Sequence, residues 1–95
     1  MGVTQSTHGA VWNADGTGQV LEGRRWKWIR WNLSSATVGT DALVMKEKDN
    51  SGFVVVNEIA EKANGAQWVP TPYHDVDNLY VSTLGNGTVD AAPIE

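Results

Sequence analysis

The chain contains no cysteine. Neither disulfides nor a thiolate metal site can therefore reinforce the fold. No apolar run approaches the roughly 20 residues that a membrane-spanning helix needs. The opening Met1-Gly2-Val3-Thr4-Gln5-Ser6 has no basic stretch and no apolar stretch, so no secretion signal is expected. The glycosylation-type triplets at Asn32 and Asn86 then carry no reading of their own. Seven basic residues face eleven acidic ones, a net charge of −4, which argues against nucleic acid as a general partner. A length of 95 residues supports one domain. A domain of that size buries roughly 60–65% of its unfolded surface, so its core is thin and oligomerisation is a common remedy.

What is abundant is tryptophan, with five copies. Trp is costly to expose without purpose and is favoured at interfaces. Four of the seven basic residues, Arg24, Arg25, Lys27 and Arg30, fall in one short segment among three of those tryptophans.

Residues 1–9 are small and polar and read as a flexible arm, with a single domain over residues 10–95. After the apolar piece ending at Trp12, Asp15-Gly16 is a hairpin signal, because such turns need residues that tolerate positive φ. The segment Val20–Leu33 reads as strand rather than helix. Trp26 and Trp28 share one parity, and Ile29, Trp31 and Leu33 the other. A β-bulge between Trp28 and Ile29 would return both sets to one face. The alternative is a strand covered on both faces.

Leu43 and Met45 mark the inward side of the next strand. Lys48-Asp49-Asn50-Ser51-Gly52 is a hairpin turn. Phe53, Val55 and Ile59 are expected on the inner face of the strand that follows. Ala60–Ala63 could add a helical turn, ended by Asn64-Gly65. Gln67-Trp68-Val69, running into Pro70-Thr71-Pro72, predicts a loop or a sheet edge. A strand with Leu79 and Val81 inward follows, then the Asn86-Gly87 turn, then a last strand that Pro93 places at an edge. The expected core is Ile29, Trp31, Leu43, Met45, Phe53, Val55, Leu79 and Val81. The pattern predicts an all-β domain: a small β-sandwich or partly open barrel of about six to eight short antiparallel strands.

Catalysis has little support. His8 lies in the arm, and His74-Asp75 has no serine on a Gly-x-Ser-x-Gly turn to serve. No phosphate-binding glycine pattern or zinc spacing is present. Asp75, Asp77 and Asn78 alternate as calcium-binding loops do, but an EF-hand match is absent, and a solvated acidic turn is the simpler reading. No enzyme activity, cofactor or metal is expected. The Arg24–Trp31 run interleaves basic and aromatic residues, as single-strand nucleic-acid binders do. An ordinary amphipathic strand gives the same pattern, with Arg25 and Lys27 opposite Trp26 and Trp28. Exposed tryptophans also suit stacking on sugars, provided that no second sheet covers Trp26, Trp28 and Trp31.

The run Glu22–Leu33, the Ser/Ala/Thr-rich loop from Ser34 to Thr40 and the strand Asp41–Glu47 carry a resemblance. Together with the hairpin from Leu43 to Ile59, the Ala63-Asn64-Gly65 turn and Leu79-Tyr80-Val81, they resemble a group of small all-β virion proteins of tailed bacteriophages. Trp26 and Trp28 stand where that group carries aliphatic or small residues, and the polar arm is not shared in detail. The resemblance covers about residues 20–91. It implies a non-enzymatic structural role, capsid decoration or cementing, with the major capsid protein or another virion protein as partner. It also implies assembly as a homo-oligomer, a trimer leading, and localisation in the virion, without a membrane. Trp12, Trp26, Trp28, Trp68, Arg24 and Arg25 are the expected partner-binding residues. The alternatives are a carbohydrate-binding β-sandwich module that uses exposed Trp, and a single-stranded nucleic-acid-binding domain.

Overall fold

The computed structural model describes residues 4, 5 and 11–94. His8, and all of the expected arm except Thr4 and Gln5, lie outside the described residues. The chain forms β1 (Thr4–Gln5), β2 (Trp12–Ala14), β3 (Val20–Leu21), β4 (Trp26–Leu33), β5 (Ala42–Glu47), β6 (Val54–Ile59), β7 (Gly65–Val69), β8 (Leu79–Leu84) and β9 (Thr88–Pro93). The described residues contain no helix, and Ala60–Ala63 is a bend rather than a helical turn. A five-stranded sheet has the order β1-β2-β9-β4-β7, and a four-stranded sheet the order β3-β8-β5-β6. Each pairing is antiparallel. The architecture is the expected small all-β sandwich.

Only two sequential pairs, β1–β2 and β5–β6, are hydrogen-bonded neighbours. Every other connection between the described strands crosses from one sheet to the other. The Asp15-Gly16 turn is thus an arch over the core and not a hairpin, and the Asn86-Gly87 turn is a second arch. The left-handed backbone of each reversal is supplied by a glycine, Gly18 at the first arch and Gly87 at the second. A turn dipeptide does not decide whether the two legs then exchange hydrogen bonds or face each other through side chains. At the second arch Gly87 has φ +68°, and a Cβ there would lie 1.7 Å from the Asn32 carbonyl oxygen, so no other residue fits. The same arch satisfies the core: Trp31 donates its indole N–H to the Asn86 carbonyl at 2.8 Å.

The last strand corrects a second expectation. β9 is central, between β2 and β4, and not at an edge. Pro93 is tolerated because it is the strand's final residue. There it pairs with Trp26, beside a shift in register, so its missing N–H leaves the ladder interior intact.

Ile29, Trp31, Leu43, Met45, Leu79 and Val81 are fully buried between the sheets, as expected. Phe53 is not: it is 82% exposed. It precedes β6, just past the turn over residues 48–52, where it lines an open depression; β6 itself carries a bulge. Met45 pairs with Val56 and Lys46 with Val54, which leaves Val55 as the extra residue. The alternation therefore reverses at Val55. Val56 enters the core, Val55 packs partly against it, and Val54 and Ile59 face outward. Gln67, buried on β7, ties this corner of the sandwich together. Its amide donates to the Ile59 carbonyl at 3.0 Å and accepts the Glu61 N–H at 2.8 Å. The edges β6 and β7 thus lie on the same side of the molecule.

Trp31→Ala should lower stability by about 3–5 kcal/mol, through a large cavity and an orphaned Asn86 carbonyl. The expected readout is a fall in urea midpoint with an unchanged slope. An unchanged midpoint would place Trp31 outside the core.

Candidate functional site

The site is built by a one-residue irregularity in β4. Against β9, Trp26 pairs with Pro93 and Trp28 with Ala92, so Lys27 is the extra residue. The predicted bulge is present, one residue earlier than expected. It returns Trp26 to the inner face with Ile29, Trp31 and Leu33. Trp28 instead goes to the outer face with Arg30 and Asn32.

The registers then align one residue from each strand across the whole five-stranded sheet: Thr4, Asn13, Asp90, Arg30 and Trp68. Beside that row stand Asn32 with Thr88 and Ala66, and on the other side Trp28 with Ala92. Asp90 is the hub. It is 7% exposed, and each of its oxygens is engaged. One accepts from the Asn13 amide. The other accepts from Arg30, through Nη2 and through Nε at 3.2 Å, and from the Asn32 amide at 3.0 Å. Asn32 also donates to Thr88 Oγ1 at 3.1 Å. Burial pushes the Asp90 carboxyl up. The hydrogen bonds from Asn13, Arg30 and Asn32, with the Arg30 charge, outweigh that and leave it below the ordinary range.

The network fixes Arg30, and Arg30 fixes the aromatics. Its guanidinium lies 5.6 Å from the Trp28 ring centre and 5.9 Å from that of Trp68. The two rings meet edge to face, 5.8 Å apart at 85°. Trp68 sits on the edge strand β7 and remains 61% exposed. The result is a held indole with one open side, next to a low floor of Ala66, Thr88 and Asn32.

The expected partner-binding residues separate into three places. Trp28 and Trp68 share this face. Trp26, 4% exposed, belongs to the core, and the partly buried Trp12 packs against it. Arg24 and Arg25 lie at one end of the sandwich, where the loop over residues 70–78 folds back on residues 23–25. There Val76 donates its N–H to the Arg24 carbonyl, and Gly23 donates to the Asn78 side chain. Arg25 pairs with Asp75 at 2.6 Å and holds that carboxyl below its usual range. A cleft of about 600 Å³ opens here, lined by residues that include Arg25, Pro72, Tyr73 and His74. Of the trio weighed for calcium, Asp75 serves Arg25, Asn78 serves Gly23, and Asp77 donates its backbone N–H to Glu47.

Sequence reasoning missed Asn13, Arg30, Asn32 and Asp90. One signal was available: an acid at 90 enclosed by Val89, Ala91 and Ala92 marks a polar group on a strand that is otherwise apolar.

Asp90→Asn should cost about 1–3 kcal/mol at neutral pH, because an amide NH₂ would then face the donors that the carboxylate now satisfies. The wild-type carboxyl is depressed in the folded state. Its contribution is therefore complete above the unfolded value of about 4 and is lost as pH falls through the folded value. Urea unfolding across the acid range should show a steeper loss below about pH 4 for wild type than for the variant. Equal slopes would remove Asp90 from the acid response.

No family model, curated protein or solved structure matches the chain. Its function has to be argued from the surfaces that the fold exposes.

Proposed function

We propose that this chain is a non-enzymatic structural protein of a tailed-phage particle, a capsid decoration or cement protein that binds the shell lattice. Its class rests on the resemblance carried by Glu22–Leu33, the following loop and the β5–β6 hairpin. One observation from the fold supports a docking role: the apolar residues at the open edge β6. Phe53 is 82% exposed, and Val54 and Ile59 are about half exposed on the same strand or at its start. Phe53 also lines a depression of about 370 Å³ with Lys48, Asp49 and Asp77.

An edge strand with apolar side chains is a standing invitation to pair, and soluble monomers usually blunt it with charge or proline. β6 carries only Glu58 by way of charge. The proposed partner is the major capsid protein or another virion protein. The proposed assembly is a homo-oligomer, with a trimer leading because closed symmetric rings match a shell's local symmetry.

The test uses a Phe53→Ser, Val54→Thr double variant. Both side chains are largely exposed, so folding stability should stay within about 0.5 kcal/mol. Co-sedimentation with undecorated shells should fall at least about tenfold, or 1.4 kcal/mol. Light scattering of the wild type should report an oligomer, alone or on the shell. Undiminished attachment of the variant would remove β6 from the interface. A wild-type chain that ignores shells would remove the decoration reading.

A further inference from the structure

The outer face of the five-stranded sheet belongs to the other sheet from β6, although its edge strand β7 lies on the same side of the molecule as β6. We infer that this face, at Trp68, Trp28, Arg30 and Asn32, is a binding site for a neutral sugar ring of an oligosaccharide.

The aromatic part comes first. Trp68 is the one tryptophan that is mostly exposed, and it does not hang freely. Trp28 meets it edge on, and the Arg30 guanidinium lies within 6 Å of both rings. A ring immobilised in the free state loses little conformational freedom on binding, which is the main benefit of preorganisation. A flat, held indole suits a ligand with a flat face of C–H groups.

The polar part comes from β4: Arg30, 5.9 Å from the centre of that ring, and Asn32, the next outward residue of the strand. Arg30 spends Nε and Nη2 on Asp90, so its Nη1 donors remain for a ligand. Asn32 spends its amide nitrogen on Thr88 and Asp90, which leaves Oδ1 as an acceptor. Asn32 is two residues from Arg30 on the same face, about 7 Å along the strand. Opposite it on β7 is Ala66, so the space beside the Trp68 ring is not filled by a side chain of any size. A donor pair and an acceptor beside an aromatic plane match a pyranose ring, whose hydroxyls are donors and acceptors around an apolar face.

Charge selects the class further. Arg30 is neutralised by Asp90, and the charged residue left on this side of β4 is the exposed Lys27, beside Trp28. The chain carries a net charge of −4. Nucleic-acid binding by stacking needs a basic groove to follow the phosphates. This face has none. A neutral ligand is favoured, and its binding should depend little on salt.

The experiment titrates the full-length chain with soluble neutral hexasaccharides of glucose, mannose, galactose and N-acetylglucosamine. Tryptophan fluorescence and indole N–H signals in NMR are followed together. At least one sugar should saturate the protein at micromolar to millimolar concentration and shift the indole signals of Trp68 and Trp28, with that of Trp31 unmoved. Trp68→Ala should weaken binding at least about tenfold. Trp68→Phe, which keeps a ring, should retain most of it and guards against a misfolded alanine variant. Raising salt from about 50 to 500 mM should change the affinity little. The inference is overturned if no sugar binds at millimolar concentration, or if the alanine variant binds as the wild type does. It is also overturned if only single-stranded oligothymidylate binds, with steep salt dependence, or if the indole shifts track self-association on dilution. Shell attachment is read separately through Phe53, so the two readings fail independently.

Discussion

The one-residue slip at Lys27 in β4 is the constraint on which the rest of this molecule depends. A strand alternates its side chains strictly, so without the slip Trp26 and Trp28 would face the same way. With it, the inner face gains Trp26 next to Ile29, and the outer face gains Trp28 next to Arg30. One irregularity thus completes a core and starts a surface site. It also lets a proline close the neighbouring strand, because the ladder is already interrupted at that point.

Polar satisfaction holds the outer face together. A carboxylate as enclosed as Asp90 would be costly if left alone. Here it receives hydrogen bonds from β2 and β4, and so links the two strands that flank its own. The same bonds orient Arg30, which in turn sets the angle between two tryptophans on β4 and β7. Packing in this layer therefore runs as a chain of dependence, from a buried acid at the sheet centre to an exposed ring at its edge. In the inner layer the indole N–H of Trp31 finds a partner in the Asn86 carbonyl, while those of Trp12 and Trp26 are buried without one among the described residues.

The two surfaces that stand out have different chemistry and lie on different sheets. The β6 edge offers backbone and apolar side chains, the materials of protein–protein docking. The sheet face around Trp68 offers one aromatic plane and a few fixed polar atoms, the materials of small-ligand recognition.

The sequence by itself determined the class of the fold and part of the core. Alternation identified Ile29, Trp31, Leu43, Met45, Leu79 and Val81, because a two-residue period is a local property that can be read along one strand. It also narrowed β4 to two choices, a bulge or a strand covered on both faces, since Trp26 and Ile29 could not share a face in a regular strand. The tertiary structure decided where each bulge falls, and with it the outward course of Val54 and of Trp28; it also set the parity that turns Ile59 outward and left Phe53 outside the strand. A bulge is placed by the register against neighbours that are distant in sequence, and single-strand patterns contain no such register. It decided that the Asp15-Gly16 turn is an arch and not a hairpin, because a turn dipeptide reverses the chain without choosing which partner the legs will have. It also decided the site. Asn13, Arg30, Trp68 and Asp90 come from four separate strands, and only the pairing of β2, β9, β4 and β7 sets them in one row.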